Sequence, residues 1–372
     1  MPELRNLYLV IAQECNLDCT YCYAQGGDFG QTVRHMDEHI LRHGLERLLP
    51  LAGKHLTLSF FGGEPLLNLP LLRQAITLAD RMAAASGRSM AYALTTNGTI
   101  LDEEILALLK ERIAYLAVSL DGHASANQAR VFRDGRAAFP TIVANLERLR
   151  QRDIPFGLRA TVTPGNVDQV LGALDFLTSL APVSIRLLPA QSMVWPAASR
   201  RRLGIAMAEI NRRGLRAMLA GEVPQACEHA YRLVAYRSAG ETRSRPCLAG
   251  SGVLALAADG HLYPCEHFVG VGSMAMGHVD DADFPGSRYR QMAAAFQACT
   301  TAARGHCRRC DIRQACGGQC YAEAWQATGS IEQADPAYCA LTRRIHRSLE
   351  PELHQALAAP EHAACLRAAV GE

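Results

Sequence analysis

The sequence predicts an α/β chain in two parts, a partial parallel (β/α)6 barrel followed by a small cysteine-rich α+β domain. In the first part, apolar stretches alternate with amphipathic helical stretches, which predicts a parallel sheet with right-handed crossovers. In the second part the alternation stops and closely spaced cysteines appear. The predicted divisions are a barrel at 1–200, a helical connector at 201–240, a cysteine-rich domain at 241–345 and a helical tail at 346–372.

Six strands are predicted from apolar and β-branched runs at 7–12, 56–61, 92–96, 115–120, 158–162 and 185–188. The first helix begins after Asp37 as its N-cap and ends at residue 49. Further helices are expected at 70–85, 102–112, 136–150 and 167–180. In barrels of this type the chemistry takes place at the carboxyl ends of the strands, so functional motifs are expected directly after them.

Composition limits the class of protein. The 372 residues suffice for two domains, and a net charge of +2 gives no electrostatic case for nucleic acid or an anionic membrane as partner. The N-terminus lacks a basic signal-peptide region, and no apolar run approaches the ~20 residues of a membrane span. Thirteen cysteines in such a chain favour iron–sulfur ligation in a reducing cytoplasm over disulfides.

Three cysteines with the spacing CX3CX2C directly follow the first predicted strand: Cys15, Cys19 and Cys22. Three thiolates can hold three irons of a [4Fe–4S] cluster and leave the fourth iron open to a small molecule. The alternative is a zinc knuckle, for which His35 is the nearest imidazole. Zinc usually takes four protein ligands, so the spacing favours the cluster.

This motif and the segment Gly62-Gly63-Glu64-Pro65 after the second strand closely resemble the radical S-adenosylmethionine (radical SAM) enzymes. The resemblance implies a partial TIM barrel and an open iron that chelates S-adenosylmethionine. Electron transfer would then cleave this cofactor to methionine and a 5′-deoxyadenosyl radical, which takes a hydrogen atom from an unactivated carbon. The protein positions such cofactors and excludes side reactions.

The resemblance also implies cofactor contacts around the motif. Gly62 and Gly63 would let the backbone approach the methionine moiety closely, although an ordinary tight turn would also favour them. Glu64, followed by Pro65, is expected to accept a hydrogen bond from the ammonium group of the ligand or from polar neighbours. Tyr21 matches the aromatic position whose backbone meets the adenine in the family.

Further cofactor contacts are expected at strand ends. Asn97 and Ser119 are candidate partners for the ribose or the carboxylate, with turn capping as the alternative. Arg130 and Arg159 are candidates for the ligand carboxylate, because a guanidinium pairs with it through two hydrogen bonds. For both arginines a structural ion pair or a solvent-exposed position is the alternative.

The cysteines of the second half resemble the SPASM extension of radical SAM peptide and protein maturases, with the pattern CX9–15GX4C, CX2CX5CX3C and a final C. The resemblance implies two auxiliary [4Fe–4S] clusters, three clusters in all. A pair of zinc ribbons is the alternative. The implied ligands are Cys307, Cys310, Cys316 and Cys339 for one auxiliary cluster, and Cys247, Cys265 and Cys320 for the other.

The second of these sets has three cysteines. In relatives with an eighth cysteine a further ligand precedes the position of Cys247, and Glu241 stands there in this chain. Either one iron is open, which we favour, or Cys227 completes the cluster. Cys299 and Cys365 match no motif and are expected to be ordinary thiols.

Two substrate classes compete. The loop 22–30 and the segment 263–270 look like those of maturases that form a thioether or carbon–carbon cross-link in a ribosomally made peptide. Anaerobic sulfatase-maturating enzymes, which oxidise Cys or Ser to formylglycine, carry an Asp base directly after the equivalent of Cys265. Glu266 stands there in this chain and can perform the same proton transfer, with a plain salt bridge as the alternative role.

The expected partners follow from this class. They are a ribosomal precursor peptide, a flavodoxin- or ferredoxin-type reductant and, because the barrel begins almost at Met1, a separate leader-binding protein or the extension itself. A non-catalytic iron–sulfur electron carrier is the alternative outside the enzyme class. Asn97, Ser119 and the Gly-Gly-Glu-Pro segment argue against it, because a carrier needs no methionine or ribose pocket.

Overall fold

A computed structural model describes residues 3–191 and 193–371. Its strands and helices, in chain order, are β1 (Leu4–Ala12), α1 (Glu38–Leu48), β2 (Ala52–Gly62), α2 (Leu69–Ala85), β3 (Ser89–Thr96), α3 (Glu103–Arg112), β4 (Tyr115–Ser119), α4 (Phe139–Gln151), β5 (Gly157–Val162), α5 (Val170–Ser179), β6 (Ser184–Pro189), α6 (Ala197–Leu219), α7 (Glu228–Ala239), β7 (Val253–Leu256), β8 (His261–Tyr263), β9 (Gly277–His278), α8 (Ser287–Ala298), α9 (Arg313–Cys316), α10 (Tyr321–Thr328), α11 (Pro336–Leu357) and α12 (Pro360–Ala369).

The described residues form two compact units. The first comprises the chain up to Leu120, Asn127–Arg159 and Leu248–Gln297, and the second comprises Asp121–Ala126, Ala160–Cys247 and the chain from Ala298 onward. The predicted divisions at 200 and 240 do not coincide with this partition. The physical reason is that β7 pairs with β1, so 248–297 packs within the first unit.

The first unit contains a predominantly parallel sheet in the order β5-β4-β3-β2-β1-β7-β8-β9. Strands β5 to β1 and β7 are parallel, whereas β8 and β9 are antiparallel. Leu7 of β1 is opposite Leu58 on one side and Leu254 on the other, and all three side chains are fully buried. Such burial is typical of parallel strands. The predicted α/β fold class is confirmed.

Local sequence signals explain several element ends in this unit. The Asp37 carboxylate accepts a 2.9 Å hydrogen bond from the Ile40 N–H, so Asp37 caps α1 as predicted. Asp102 caps α3 in the same way through the Ile105 N–H at 2.8 Å. Helix α4 begins at Phe139, three residues later than the predicted start. These caps fix where each helix follows its strand.

The second unit has a helical core. The predicted helical connector contains α6, an arginine-rich amphipathic helix whose buried face includes Leu203, Ile210, Leu215 and Met218. This face packs into the core of the unit, so the helix is more than a solvated connector. The core is formed by buried residues of α6, α7, α9, α11 and α12. None of the helices in the described ranges is both long and apolar enough to cross a membrane.

Candidate active site

The loop after β1 holds the three cysteines of the first motif. The Cys15 sulfur accepts hydrogen bonds from the Leu17 N–H at 3.4 Å and the Asn97 side-chain amide at 3.5 Å. The Cys22 sulfur accepts one from the Gly26 N–H at 3.4 Å. Burial raises the pKa of Cys15. Donors directed at buried sulfur suit thiolates that ligate iron, because such hydrogen bonds stabilise the negative charge of a cluster.

The spacing of the three thiols bears on the zinc alternative. In tetrahedral zinc sites the sulfur atoms lie about 3.8 Å apart, as Zn–S bonds of about 2.3 Å require. Within 3–191 and 193–371, one group of three or more potential ligands has all its ligand atoms within 4.8 Å of one another, and it contains no cysteine. The sulfur atoms of Cys15, Cys19 and Cys22 therefore do not all lie within 4.8 Å of one another, and the iron–sulfur cluster stays the prediction.

The two glycines after β2 are required by the cysteine loop itself. Gly62 has φ +148°, and a Cβ there would lie 2.2 Å from the Ala12 carbonyl oxygen. A Cβ on Gly63 would lie 2.2 Å from the Glu14 carbonyl oxygen. The end of β2 thus approaches the backbone that leads into the cysteines too closely for any side chain. Contact of these glycines with the methionine moiety stays a prediction.

Glu64 is completely buried and joins the ends of two strands. Its carboxylate accepts hydrogen bonds from the Asn97 N–H at 2.7 Å, the Leu66 N–H at 3.1 Å and the Thr96 hydroxyl at 2.9 and 3.0 Å. Burial raises its pKa to about 7, although these donors act in the opposite direction. The buried carboxylate therefore links the segment after β2 to the end of β3 through hydrogen bonds. The expected bond to the ligand ammonium remains untested.

The raised pKa predicts a pH dependence of stability. Between the ordinary value of 4.5 and about 7, folded Glu64 holds a proton that the unfolded chain has lost. The stability contribution of this group is therefore present in acid and is lost as the pH rises through that window. We expect the melting temperature of Glu64→Gln to fall less over this range than that of the unmodified protein. Anaerobic thermal unfolding measures both, with exposed Glu103→Gln as control. Equal pH slopes would contradict the assignment.

Asn97 caps its turn, which is one of the two interpretations that the sequence leaves open, and its contact with the cofactor stays a prediction. Its amide nitrogen donates to Cys15 and, at 2.8 Å, to the Asn16 side-chain oxygen. Its own side-chain oxygen accepts hydrogen bonds from the Thr99 N–H at 2.9 Å and hydroxyl at 2.7 Å, which is turn capping. Ser119 ends β4, half-buried, opposite Arg159 of β5. The backbone thus brings the predicted strand-end residues to one edge of the sheet.

The two predicted carboxylate-binding arginines differ in their surroundings. The Arg130 guanidinium lies 5.5 Å from the centre of the Tyr21 ring, and both residues are buried. This cation–π contact holds the Tyr21 ring in place within the cysteine loop. Sequence reasoning missed a third arginine, Arg133, whose Nε donates a 2.7 Å hydrogen bond to the Cys15 carbonyl oxygen. A Phe-Arg-Asp-Gly turn carries no signal for that role.

A second group of polar side chains surrounds Glu266, which is buried. Its carboxylate lies 3.7 Å from His267 Nε2, and the His267 ring lies 4.6 Å from the Tyr23 ring. The buried Tyr23 hydroxyl has no hydrogen-bond partner among the described residues. Burial and then the Glu266 charge hold the pKa of Tyr23 well above its usual value, whereas Arg159 opposes them. We call Tyr23, Arg159, Glu266 and His267 the Glu266 cluster.

The Glu266 cluster places a buried carboxylate beside a buried imidazole. Burial lowers the pKa of His267, so this imidazole is neutral at pH 7. Arg159 acts electrostatically on both rings, which its prediction as a cofactor ligand did not anticipate. Sequence reasoning did not select Tyr23 or His267, although both flank predicted cluster cysteines.

The auxiliary cysteines are divided between the units. Cys307, Cys310, Cys316 and Cys339 belong to the second unit, where burial and then the neighbouring Cys307 and Cys316 thiols raise the pKa of Cys339 to about 11. These four residues lie together, as a shared cluster requires.

The other predicted set spans the partition. Burial raises the pKa of Cys320 to about 12, and Cys247 of the same unit contributes. Cys265 belongs to the first unit, so this ligand set stays a prediction. Cys227 packs against α6, where a Cβ on Gly214 would lie 2.4 Å from its own Cβ. The two alternatives for this set, an iron without a cysteine ligand or ligation by Cys227, both stay predictions.

Known proteins resemble this chain throughout. The Radical SAM superfamily profile matches residues 9–177. An AdoMet-dependent heme synthase of Methanosarcina barkeri is 26% identical over 362 residues, 91% of this chain and 98% of that protein. A serine-type anaerobic sulfatase-maturating enzyme of Klebsiella aerogenes is 26% identical over 332 residues, 83% of this chain and 78% of that protein. The structure of native anSMEcpe with bound AdoMet and Cp18Cys peptide has a TM-score of 0.78 at 18% identity, covering 95% and 99% of the two chains.

Residues 9–177 therefore match the radical SAM superfamily, and together with the sulfatase-maturating relatives they indicate a radical SAM enzyme. It resembles the peptide and sulfatase maturases within that class, as the cysteine motifs predict. The match to anSMEcpe shows the shared fold. An iron–sulfur cluster and S-adenosylmethionine are the cofactors that this domain supports.

Proposed function

We propose that this chain is a radical SAM/SPASM maturase that forms a thioether or carbon–carbon cross-link in a ribosomally made peptide. The observation that carries the proposal is the Glu266 cluster, a buried carboxylate directly after Cys265 with a neutral imidazole 3.7 Å away. A cross-linking site needs a base of this kind in a water-poor environment. A peptide substrate is supported by the resemblance to sulfatase-maturating enzymes.

The proposed reaction removes two hydrogens from the peptide. One leaves a carbon as a hydrogen atom, the other leaves the partner side chain as a proton, and one electron leaves as the new bond forms. S-adenosylmethionine bound at the Cys15, Cys19 and Cys22 site supplies the hydrogen-atom abstraction. Glu266 takes the proton, and the auxiliary iron–sulfur centres are the class of acceptor proposed for the electron.

Two relatives supply competing candidates. Sulfatase maturation is favoured by the 26% identity to the Klebsiella enzyme and by an acidic residue after Cys265. Heme synthesis is favoured by the match to the Methanosarcina heme synthase, which spans 98% of that protein. A separate leader-binding protein and a flavodoxin- or ferredoxin-type reductant remain proposed partners.

The test is anaerobic co-expression of the enzyme with the short open reading frames beside its gene, followed by mass spectrometry of each peptide. Loss of two hydrogens, with the joined residues inseparable on fragmentation, supports the cross-linking maturase. An aldehyde on a single Cys or Ser supports the sulfatase-type reaction and contradicts ours. If the peptides stay unchanged while a tetrapyrrole stimulates formation of 5′-deoxyadenosine, heme synthesis is favoured. Absence of any 5′-deoxyadenosine under dithionite would indicate an electron carrier.

A further inference from the structure

Two imidazoles and a carboxylate converge on the surface of the first unit, apart from both clusters described above. His39 and His43 belong to α1, and Asp280 lies in the turn after β9. Their ligand atoms all lie within 4.8 Å of one another, and among the described residues no other group of three or more His, Cys, Asp or Glu meets that condition.

The geometry of the three side chains follows from their positions in the chain. His39 and His43 are four residues apart on a helix and therefore share one face. Their ring centres are 4.2 Å apart. The Asp280 carboxylate lies 2.8 Å from His43 Nδ1 and 3.2 Å from His39 Nε2. Two imidazoles and one carboxylate form a donor set that binds zinc and other first-row divalent ions, with water in the remaining positions.

A third histidine holds the carboxylate in place. His278 Nδ1 accepts a 3.1 Å hydrogen bond from the Asp280 N–H, and its Nε2 donates a 2.7 Å hydrogen bond to the Asp259 carbonyl oxygen. The two bonds together assign the neutral tautomer to His278. The Asp281 carboxylate accepts a 2.7 Å hydrogen bond from the His278 N–H and closes the turn. Supporting bonds of this kind orient ligands in metal sites.

We propose that His39, His43 and Asp280 bind one divalent transition-metal ion, for which zinc is the best match. The side chains are 57%, 39% and 40% exposed, so an ion can reach them and keep water ligands. Bound metal would join α1, which follows the cysteine loop, to the turn that follows the strands β8 and β9. Because only the folded chain brings the ligands together, the ion would stabilise the protein by mass action. The proposal does not depend on the proposed reaction.

The test is equilibrium dialysis of the cluster-loaded protein against zinc chloride, with metal analysis and thermal unfolding under anaerobic conditions. Cysteine sites that also take zinc are common to all variants and cancel in the comparison. The control variant is His55→Ala, which removes an exposed histidine of β2. We expect the unmodified protein and this control to bind one zinc per chain more than variants without the proposed ligands. Both should also melt at a higher temperature with zinc than without it.

Two variants make the test decisive. The His39→Ala/His43→Ala double variant is expected to lose the additional zinc and the rise in melting temperature, and Asp280→Asn is expected to weaken binding at least tenfold. Both should keep their iron content and the rate of S-adenosylmethionine cleavage. Equal zinc binding by the unmodified protein and both variants, or no additional zinc in the unmodified protein, would overturn the proposal. The histidines would then only hydrogen-bond to Asp280.

Discussion

The combined replacement of Cys15, Cys19 and Cys22 by alanine is expected to abolish formation of 5′-deoxyadenosine and to remove about one third of the bound iron. The physical reason is that these thiols are the proposed ligands of the cluster that binds S-adenosylmethionine. Donors from Leu17, Asn97 and Gly26 are directed at two of the three sulfurs, which suits thiolate ligands.

Iron and sulfide analysis, together with chromatographic detection of 5′-deoxyadenosine under dithionite, measures this effect. The matched control is Cys365→Ala, which removes a half-buried thiol of α12 that matches no motif. That control should keep its full iron content and activity. Residual 5′-deoxyadenosine in the triple variant would mean that the reactive cluster lies elsewhere. A loss of all iron would mean that the auxiliary sites depend on this one.

Glu266→Gln is expected to separate cofactor cleavage from product formation. Glutamine keeps the size of the side chain but cannot take a proton. Positioned general bases contribute about 10² to 10⁴ in rate, so we expect a loss of that order in modified product. Peptide-dependent formation of 5′-deoxyadenosine should continue, because Glu266 does not belong to the cysteine loop.

The controls for Glu266 separate a base from a structural ion pair. Glu266→Asp keeps a carboxylate and should retain part of the product, whereas a merely structural contact with His267 would be disturbed by both variants. Tyr23→Phe removes the buried hydroxyl and tests whether it assists the proton transfer. Mass spectrometry of the peptide and chromatography of 5′-deoxyadenosine are run on the same samples. Unchanged product in Glu266→Gln would exclude the base role.

Much of the fold is predictable because its signals are local. The strands of the first half and the caps at Asp37 and Asp102 are encoded in short segments of sequence. The pairing of β7 with β1 is different, since it joins Leu7 to Leu254 and no local pattern specifies it. A stretch of four residues, Val253–Leu256, is also too short to identify as a strand by periodicity.

The site is predictable to the same extent. Cysteine spacing and the Gly-Gly-Glu-Pro segment lead to the correct edge of the sheet, but not to the reason for the glycines, which lies in their contact with the Ala12 and Glu14 backbone. Tyr23 and His267 are 244 positions apart and meet only in the folded chain. The same holds for Asp280 and the two histidines of α1. Sites formed by residues so far apart in the sequence can be recognised only from the folded structure.

The central position of β1 has a consequence for synthesis on the ribosome. One edge of β1 pairs with β2, and its other edge pairs with β7. Leu7 of β1 and its partner Leu254 of β7 are 247 residues apart in the chain. At about 5 to 20 residues per second, that edge stays open for about 12 to 50 seconds after β1 has been made. An open apolar strand edge is a template for misassembly. The nascent chain, with its first three cysteines already synthesised, is therefore a natural client for chaperones before the sheet is complete.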